Sequence, residues 1–327
     1  MPGRPRSPAA RRPLTLLGHP SARQEPRLSE SNPQNKNRPI CDYEGSTYRT
    51  DFWEGQSRSY EDLAERRALA RLLPPSGRRR LLDLGGGFGR LAPAYQGYDQ
   101  VVLLDYSVSQ LDYARKQLGD ERFVYVAADI YRLPLATDAV DTTVMVRVLH
   151  HLVDVPAAFR QVARVTCGGG TFVLEFANKR HLKNILRHLL GRGTDPFDRH
   201  PHQFADLHFN FHPAWVAHKL LDAGFEIDQR LSVSLFRLNI LKRVFPPEVL
   251  AALDGALQRI TAPLALGPSI FVRSHLTKPR RSGLPGQDQL FRCPECGHEP
   301  LQQTASSVQC DKCRGHWPIE NGIYVFK

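Results

Sequence analysis

No run of about 18 apolar residues occurs in this chain of 327 residues. That excludes a helix crossing a bilayer, and a soluble protein is expected. Cysteine is scarce: of six, Cys41 and Cys167 stand alone, which argues against a secreted disulfide framework and for a reducing, cytoplasmic setting. Aromatic side chains are nearly missing from residues 1–38, a stretch rich in Pro, Arg, Ser and Asn. Such a segment cannot bury enough surface to offset the entropy of ordering, so a disordered basic tail is expected there. Leu14 to Gly18 is too short for the apolar core of a signal peptide. An organelle transit segment and a start that extends a shorter natural chain both stay open.

The net charge is +11, but more than half of the excess lies in that tail. There Arg4, Arg6, Arg11, Arg12, Arg23, Arg27, Lys36 and Arg38 face only Glu25 and Glu30. The charge is therefore weak evidence for a nucleic-acid footprint on a folded domain.

What the chain does have begins at Leu81–Arg90, LLDLGGGFGR: an apolar run, the acidic Asp83, then Gly85, Gly87 and Gly89. That order delivers a buried strand into a tight turn where missing side chains let a ligand approach the backbone. Gly89 is followed by Arg90 and Leu91, not Lys-Ser or Lys-Thr, so a phosphate loop is excluded. GxGxG alone leaves a nicotinamide site open. The next strand, VVLLD, ends in Asp105 about 20 residues on, where a carboxylate can hold both hydroxyls of a ribose. Two further strands follow, VYVAADIYRLPL around Asp129 and AVDTTVMVRVLHHL running into His150 and His151.

These four motifs in this order resemble the class I S-adenosylmethionine-dependent methyltransferases, in particular the type 11 branch, over roughly Tyr48 to Leu276. The resemblance implies that Gly85, Gly87 and Gly89 pass under the methionine part and that Asp105 holds the ribose. It also implies that Asp129 bonds the adenine amino group, that Ile130 packs on the ring, and that Asp83 acts through the turn. His150, His151 and Tyr48 are candidate catalytic residues beside the methyl group, with Trp53 and Tyr60 as further flanking aromatics. No base is assigned. No NPPY-type tetrad follows the fourth strand, which disfavours adenine or glutamine acceptors.

A helix is predicted from about Ser59, stopped by Pro74 and Pro75. Strands are predicted at Leu81–Leu84, Val101–Asp105, Phe123–Val126, Thr143–Val148, Thr171–Glu175, Phe225–Val233 and Ile270–His275, with helices at Ser109–Leu118 and Pro156–Val165. The expected fold class is α/β: a doubly wound, mostly parallel seven-stranded Rossmann-like sheet, with an antiparallel final strand, plus a small C-terminal zinc ribbon. Domains are expected at 39–277, with a substrate-side insertion at 178–215, then a linker at 278–290 and the ribbon at 291–327.

The insertion carries Leu182, Ile185, Leu186, Leu189 and Leu190 at helical spacing among Lys179, Arg180, Lys183 and Arg187. It reads as a lid helix, an anionic-substrate reader or a membrane-surface element; Leu235 to Phe245 is a second apolar and basic stretch. His200, His202, His208, His212 and His218 lie nearby; His208 and His212 would share a helical face only if the segment were helical, and Pro213 instead has a helix begin just after His212. Some of them are expected to line an acceptor pocket.

Cys293-Pro-Glu-Cys296 and Cys310-Asp-Lys-Cys313, 13 residues apart, match the spacing of a structural zinc site with four thiolates and no open position. The ending HWPIENGIYVFK resembles the small zinc-ribbon activator family that partners tRNA, rRNA and translation-factor methyltransferases. Here Trp317, Asn321 and Tyr324 stand for the usual Tyr, Asp and Pro. The ribbon is expected to dock in cis. Three functions follow: a methyltransferase for a small-molecule or lipid-like acceptor, an RNA methyltransferase using the ribbon, or a non-catalytic cofactor-binding partner. The first is favoured, and peripheral membrane contact is compatible with it.

Overall fold

The computed structural model describes residues 38–46, 50, 53, 58–75, 79–279 and 283–327. The tail expected at 1–38 therefore lies outside the described residues except for Arg38, and so does Tyr48.

Helix α1 (Ser59–Leu72) buries Tyr60, Ala64, Ala68 and Leu72 at four-residue steps, one stripe along its length, before Pro74 and Pro75. Then βα units alternate: β1 (Arg80–Leu84), β2 (Gln100–Asp105), α2 (Val108–Leu118), β3 (Phe123–Ala128), β4 (Val140–Met145), α3 (Val155–Val165) and β5 (Thr166–Ala177). The helix starts are written locally. Ser107 accepts from the Gln110 N–H to open α2, and Asp154 accepts from Ala157 N–H to open α3. The insertion follows as α4 (Leu182–Leu189) and a hairpin of β6 (His202–Ala205) with β7 (His208–Asn210). Next come α5 (Pro213–Asp222), β8 (Phe225–Val233), α6 (Asn239–Val244), α7 (Pro247–Leu257) and β9 (Ser269–Leu276). The C-terminal segment adds β10 (Gln302–Gln303), β11 (Ser307–Gln309), β12 (His316–Glu320) and β13 (Ile323–Phe326).

The sheet order is β10-β11-β12-β13-β3-β2-β1-β4-β5-β9-β8. The expected seven strands form one contiguous run, but the sheet they belong to has eleven. β3, β2, β1, β4 and β5 are parallel, and β9 is antiparallel to both β5 and β8. The extra four strands enter because β13 pairs in parallel with β3, Ile323 opposite Tyr125 and Phe326 opposite Ala128. β3 would otherwise be an edge with bare N–H and C=O groups. The C-terminal segment shares the main core: Leu290, Phe291, Trp317 and Phe326 join the cluster built around α3, β4 and β5. A second cluster on the other face packs α1 and α7 against β8 and β9.

His208 and His212 do not share a helical face. Phe209 and Phe211 alternate inward, which makes β7 a strand, and His212 caps α5 by accepting from Ala214 N–H. Among the described residues no helix is long and apolar enough to cross a membrane.

Candidate active site

β1 and β2 are adjacent and in register, so Asp83 and Asp105 project from neighbouring strand ends around the turn at Gly85–Gly89. Gly85, Gly87 and Gly89 all have positive φ, a conformation L side chains rarely adopt. Their roles separate on packing. A Cβ on Gly85 would meet Val148 Cγ2 at 2.2 Å, and one on Gly89 would meet Leu118 Cδ1 at 2.8 Å, so these two admit close neighbours. A Cβ on Gly87 would stand in open space with Asp105 Oδ2 as its sole neighbour, at 3.9 Å. Gly87 bares the backbone to a cleft, and its N–H donates to Asp105 Oδ2 at 2.9 Å. That cleft holds about 1070 Å³, part of it open to solvent, and is lined by Asp83, Gly85, Gly87, Asp105, Ile130 and His151 among others.

Burial pushes the Asp83 carboxyl up to about 7, with Asp105 adding to the rise and Arg90 opposing it. Burial likewise raises Asp105, against the N–H groups of Ser107, Gly87 and Tyr106. Asp129 caps the next turn. Its Oδ1 accepts from Tyr131 N–H at 2.8 Å and its Oδ2 from Arg132 Nε at 3.3 Å, an arrangement that presents Ile130 to the cleft.

The opposite wall was not legible in the sequence. Glu65 of α1 is fully buried and accepts from Arg90 Nη2 at 2.8 Å and Arg147 Nε at 3.0 Å. Both guanidinium groups stack on Trp53, at 3.9 and 5.1 Å from its ring centroid. Burial alone would raise Glu65, but Arg147 and Arg90 outweigh it and hold the carboxyl at about 2. The ion pairs thus stabilise the fold above about pH 4.5, and their contribution fades as pH falls toward about 2. Glu65→Gln removes the buried carboxylate that Arg90 and Arg147 share and leaves Arg90 to its second partner, Asp62. It should cost about 3–5 kcal/mol in urea unfolding, and a loss below about 1 kcal/mol would refute the clamp.

His151 lines the cleft; His150 packs behind it at 4.0 Å between ring centroids. His151 Nδ1 lies 3.0 Å from the Leu207 carbonyl, which can only accept, so Nδ1 carries the proton. Its Nε2 therefore accepts from the Tyr43 hydroxyl, also at 3.0 Å. Burial, with His208 adding, pulls His151 down to about 4, so the ring is neutral at physiological pH. Tyr60 is not at the cleft: it is buried, donating to Asp254 Oδ1 at 3.0 Å and accepting from Phe236 N–H.

Residues 82–174 match the protein family described as "Methyltransferase domain". Over those residues the chain is similar to methyltransferase domains. It is 31% identical over 138 residues to 27-O-demethylrifamycin SV methyltransferase of Amycolatopsis mediterranei, covering 40% of this chain and 51% of that one. It is 32% identical over 114 residues to demethylmenaquinone methyltransferase of Roseiflexus sp., covering 34% and 48%. The chain thus spans about half the length of these curated relatives. A solved complex between the Haloferax volcanii Trm112 methyltransferase activator and a methyltransferase aligns over 71% of this chain and 96% of that one. The TM-score is 0.51 at 18% identity, a likeness of fold.

The cysteine cluster lies C-terminal to the matched residues. The four sulfurs of Cys293, Cys296, Cys310 and Cys313 lie within 4.8 Å of one another, with Cys293 and Cys313 3.5 Å apart and Cys296 and Cys310 3.6 Å apart. Zinc–thiolate bonds of about 2.3 Å in a tetrahedron require sulfurs about 3.8 Å apart, so the cluster fits that ion. Among the described residues it is the one such group; the histidines are engaged elsewhere, His200 with Asp198 and His218 with Asp222. On β13, Tyr324 packs 4.6 Å from the Phe291 ring and accepts from Gln303 Nε2 at 2.7 Å. Tyr324 therefore sits within the segment that pairs with β3.

Proposed function

We propose that this chain is an S-adenosylmethionine-dependent methyltransferase whose acceptor is a small molecule or lipid-like compound. The observation that carries the reading is the bared backbone at Gly87 facing two buried carboxylates at adjacent strand ends. Gly85 and Gly87 would receive the methionine part, Asp105 the ribose hydroxyls, and Ile130 the adenine face. The Asp129 oxygens keep lone-pair capacity for an adenine amino hydrogen. The cofactor supplies a methyl group already activated on a sulfonium, so the protein's work is alignment and exclusion of water. His151, neutral and with its tautomer fixed, offers a proton acceptor through Tyr43 for a hydroxyl acceptor. The curated relatives are named for 27-O-demethylrifamycin SV and demethylmenaquinone, which supports a small-molecule acceptor.

We read residues 39–277 as the catalytic unit, 178–215 as its substrate-side insertion, 278–290 as a linker, and 291–327 as a zinc ribbon bound in cis. Methyl-labelled cofactor incubated with extracted RNA, protein and small-molecule or lipid pools tests the acceptor. Label in the extractable pool supports the reading, label in RNA replaces it with RNA methylation, and cofactor binding without label anywhere points to a non-catalytic partner.

Asp83 gives a pH prediction. A cationic cofactor favours its ionised form, and its carboxyl stands at about 7. Affinity should therefore rise with pH up to about 7, by at most about tenfold per unit, and Asp83→Asn should flatten the profile. Titration calorimetry between about pH 5.5 and 7 checks this; a flat wild-type profile would remove Asp83 from the cation's surroundings.

A further inference from the structure

We infer that α4, the 235–245 stretch with α6, and the turn after α7 form one face that docks on an anionic lipid bilayer surface. This deepens the lipid-like acceptor reading and rests on it for the acceptor's class, while the docking itself is argued separately.

Every large hydrophobic side chain exposed among the described residues falls between residues 182 and 264. α4 and α6 bury none of their residues fully, and although Leu241 of α6 packs against the core, the exposed apolar side chains of both helices are left uncovered. On α4, Leu182, Leu186 and Leu189 recur at four- and three-residue steps along one face, and Leu189 and Leu190 are 71% and 72% exposed. On α6, Ile240 and Val244 repeat the pattern at 69% and 66%. Ile260 and Leu264 add to it from the turn after α7.

These elements adjoin one another. Leu182 N–H donates to Leu266 C=O, tying the start of α4 to that turn. His181 is half-buried near Arg237, which precedes α6, and partial burial, with Arg237, Lys183 and Arg187 adding, pulls its ring down to about 4. Arg237 in turn lies by Arg147, which lines the cleft, so the face borders the site where an acceptor would enter.

Charge selects the occupant. Residues 179–192 and 235–245 contain no acidic residue, while Lys183, Arg187, Arg192 and Arg243 are exposed among the leucines. A second copy of this chain would set cations against cations. Leucines flanked by lysine and arginine suit a surface that is apolar beneath and anionic at its headgroups, because the chain then buries its apolar face and releases counterions together.

The test is flotation of the full chain with vesicles of phosphatidylcholine alone and with about 30 mol% phosphatidylglycerol. Wild type should partition onto the anionic vesicles. A Leu186→Asp, Leu189→Asp, Ile240→Asp variant, which leaves residues 1–38 and the cleft untouched, should lose about tenfold or more of that binding and keep its melting temperature. Equal binding by wild type and variant would assign the effect to the basic N-terminal segment and overturn the inference. So would no binding by wild type, or a wild-type dimer by light scattering that the variant converts to monomer. Cofactor affinity measured on the same samples separates the two readings: its absence would defeat the methyltransferase reading and leave the vesicle result standing.

Discussion

Asp105→Ala should weaken S-adenosylmethionine binding by about 100-fold in titration calorimetry. The estimate follows from two charge-assisted hydrogen bonds at about 1.5 kcal/mol each. The carboxylate also serves the apo protein, accepting from Gly87 N–H and from Ser107 N–H, both at 2.9 Å. Alanine therefore leaves two backbone donors without their acceptor and should lower the melting temperature as well. Asp105→Asn keeps one oxygen for those donors while losing the charge, and it separates the effects. If the asparagine protein melts like wild type and still binds cofactor with unchanged affinity, the ribose assignment fails, and with it the main support for the methyltransferase reading.

The second large effect concerns the cysteine cluster. The purified chain should carry one zinc, and stripping it with a chelator or replacing Cys310 by serine should unfold the C-terminal segment. Structural zinc contributes on the order of 10 kcal/mol to domains of this size. The consequence reaches beyond that segment, because β13 covers the edge of β3, and Phe291, Trp317 and Phe326 sit in the main core. Hydrogen exchange should speed up in 302–326 and also in 123–128, and the metal-free protein should self-associate through the bared edge. Metal-free protein with an unchanged melting temperature and unchanged exchange in β3 would show that the cysteines are not holding the segment in place.

The parts of the site that local chemistry specifies were readable in order along the chain. A glycine that must bare its backbone and an acid at the next strand end are set by spacing, so Gly87 and Asp105 could be named from sequence. Glu65 could not. On a helix written SYEDLAERRALARL it looks like one more solvated acid, and its partners Arg90 and Arg147 come from separate loops. In the sequence Arg90 serves only to exclude a phosphate loop, and nothing local singles out Arg147. The helix opened by Pro213 with His212 just before it was readable from the sequence, whereas the β6–β7 hairpin was not, although His208-Phe209-Asn210-Phe211 alternates in twos. The two CxxC pairs declared their geometry locally, whereas the pairing of β13 with β3 depends on an edge that only the assembled sheet presents.

Tyr125 and its register partner Ile323 come from distant parts of the chain. During synthesis β3 emerges early and waits with one side unmatched until the cysteine segment has been made and has folded. Pairings between such remote segments form late, because a long loop must close before any contact rewards it. If the proposed zinc holds that segment, the sheet of a newly made molecule is finished on a schedule set by metal supply, and a shortage of the ion would leave chains whose β1–β9 region is folded and whose flank is still sticky.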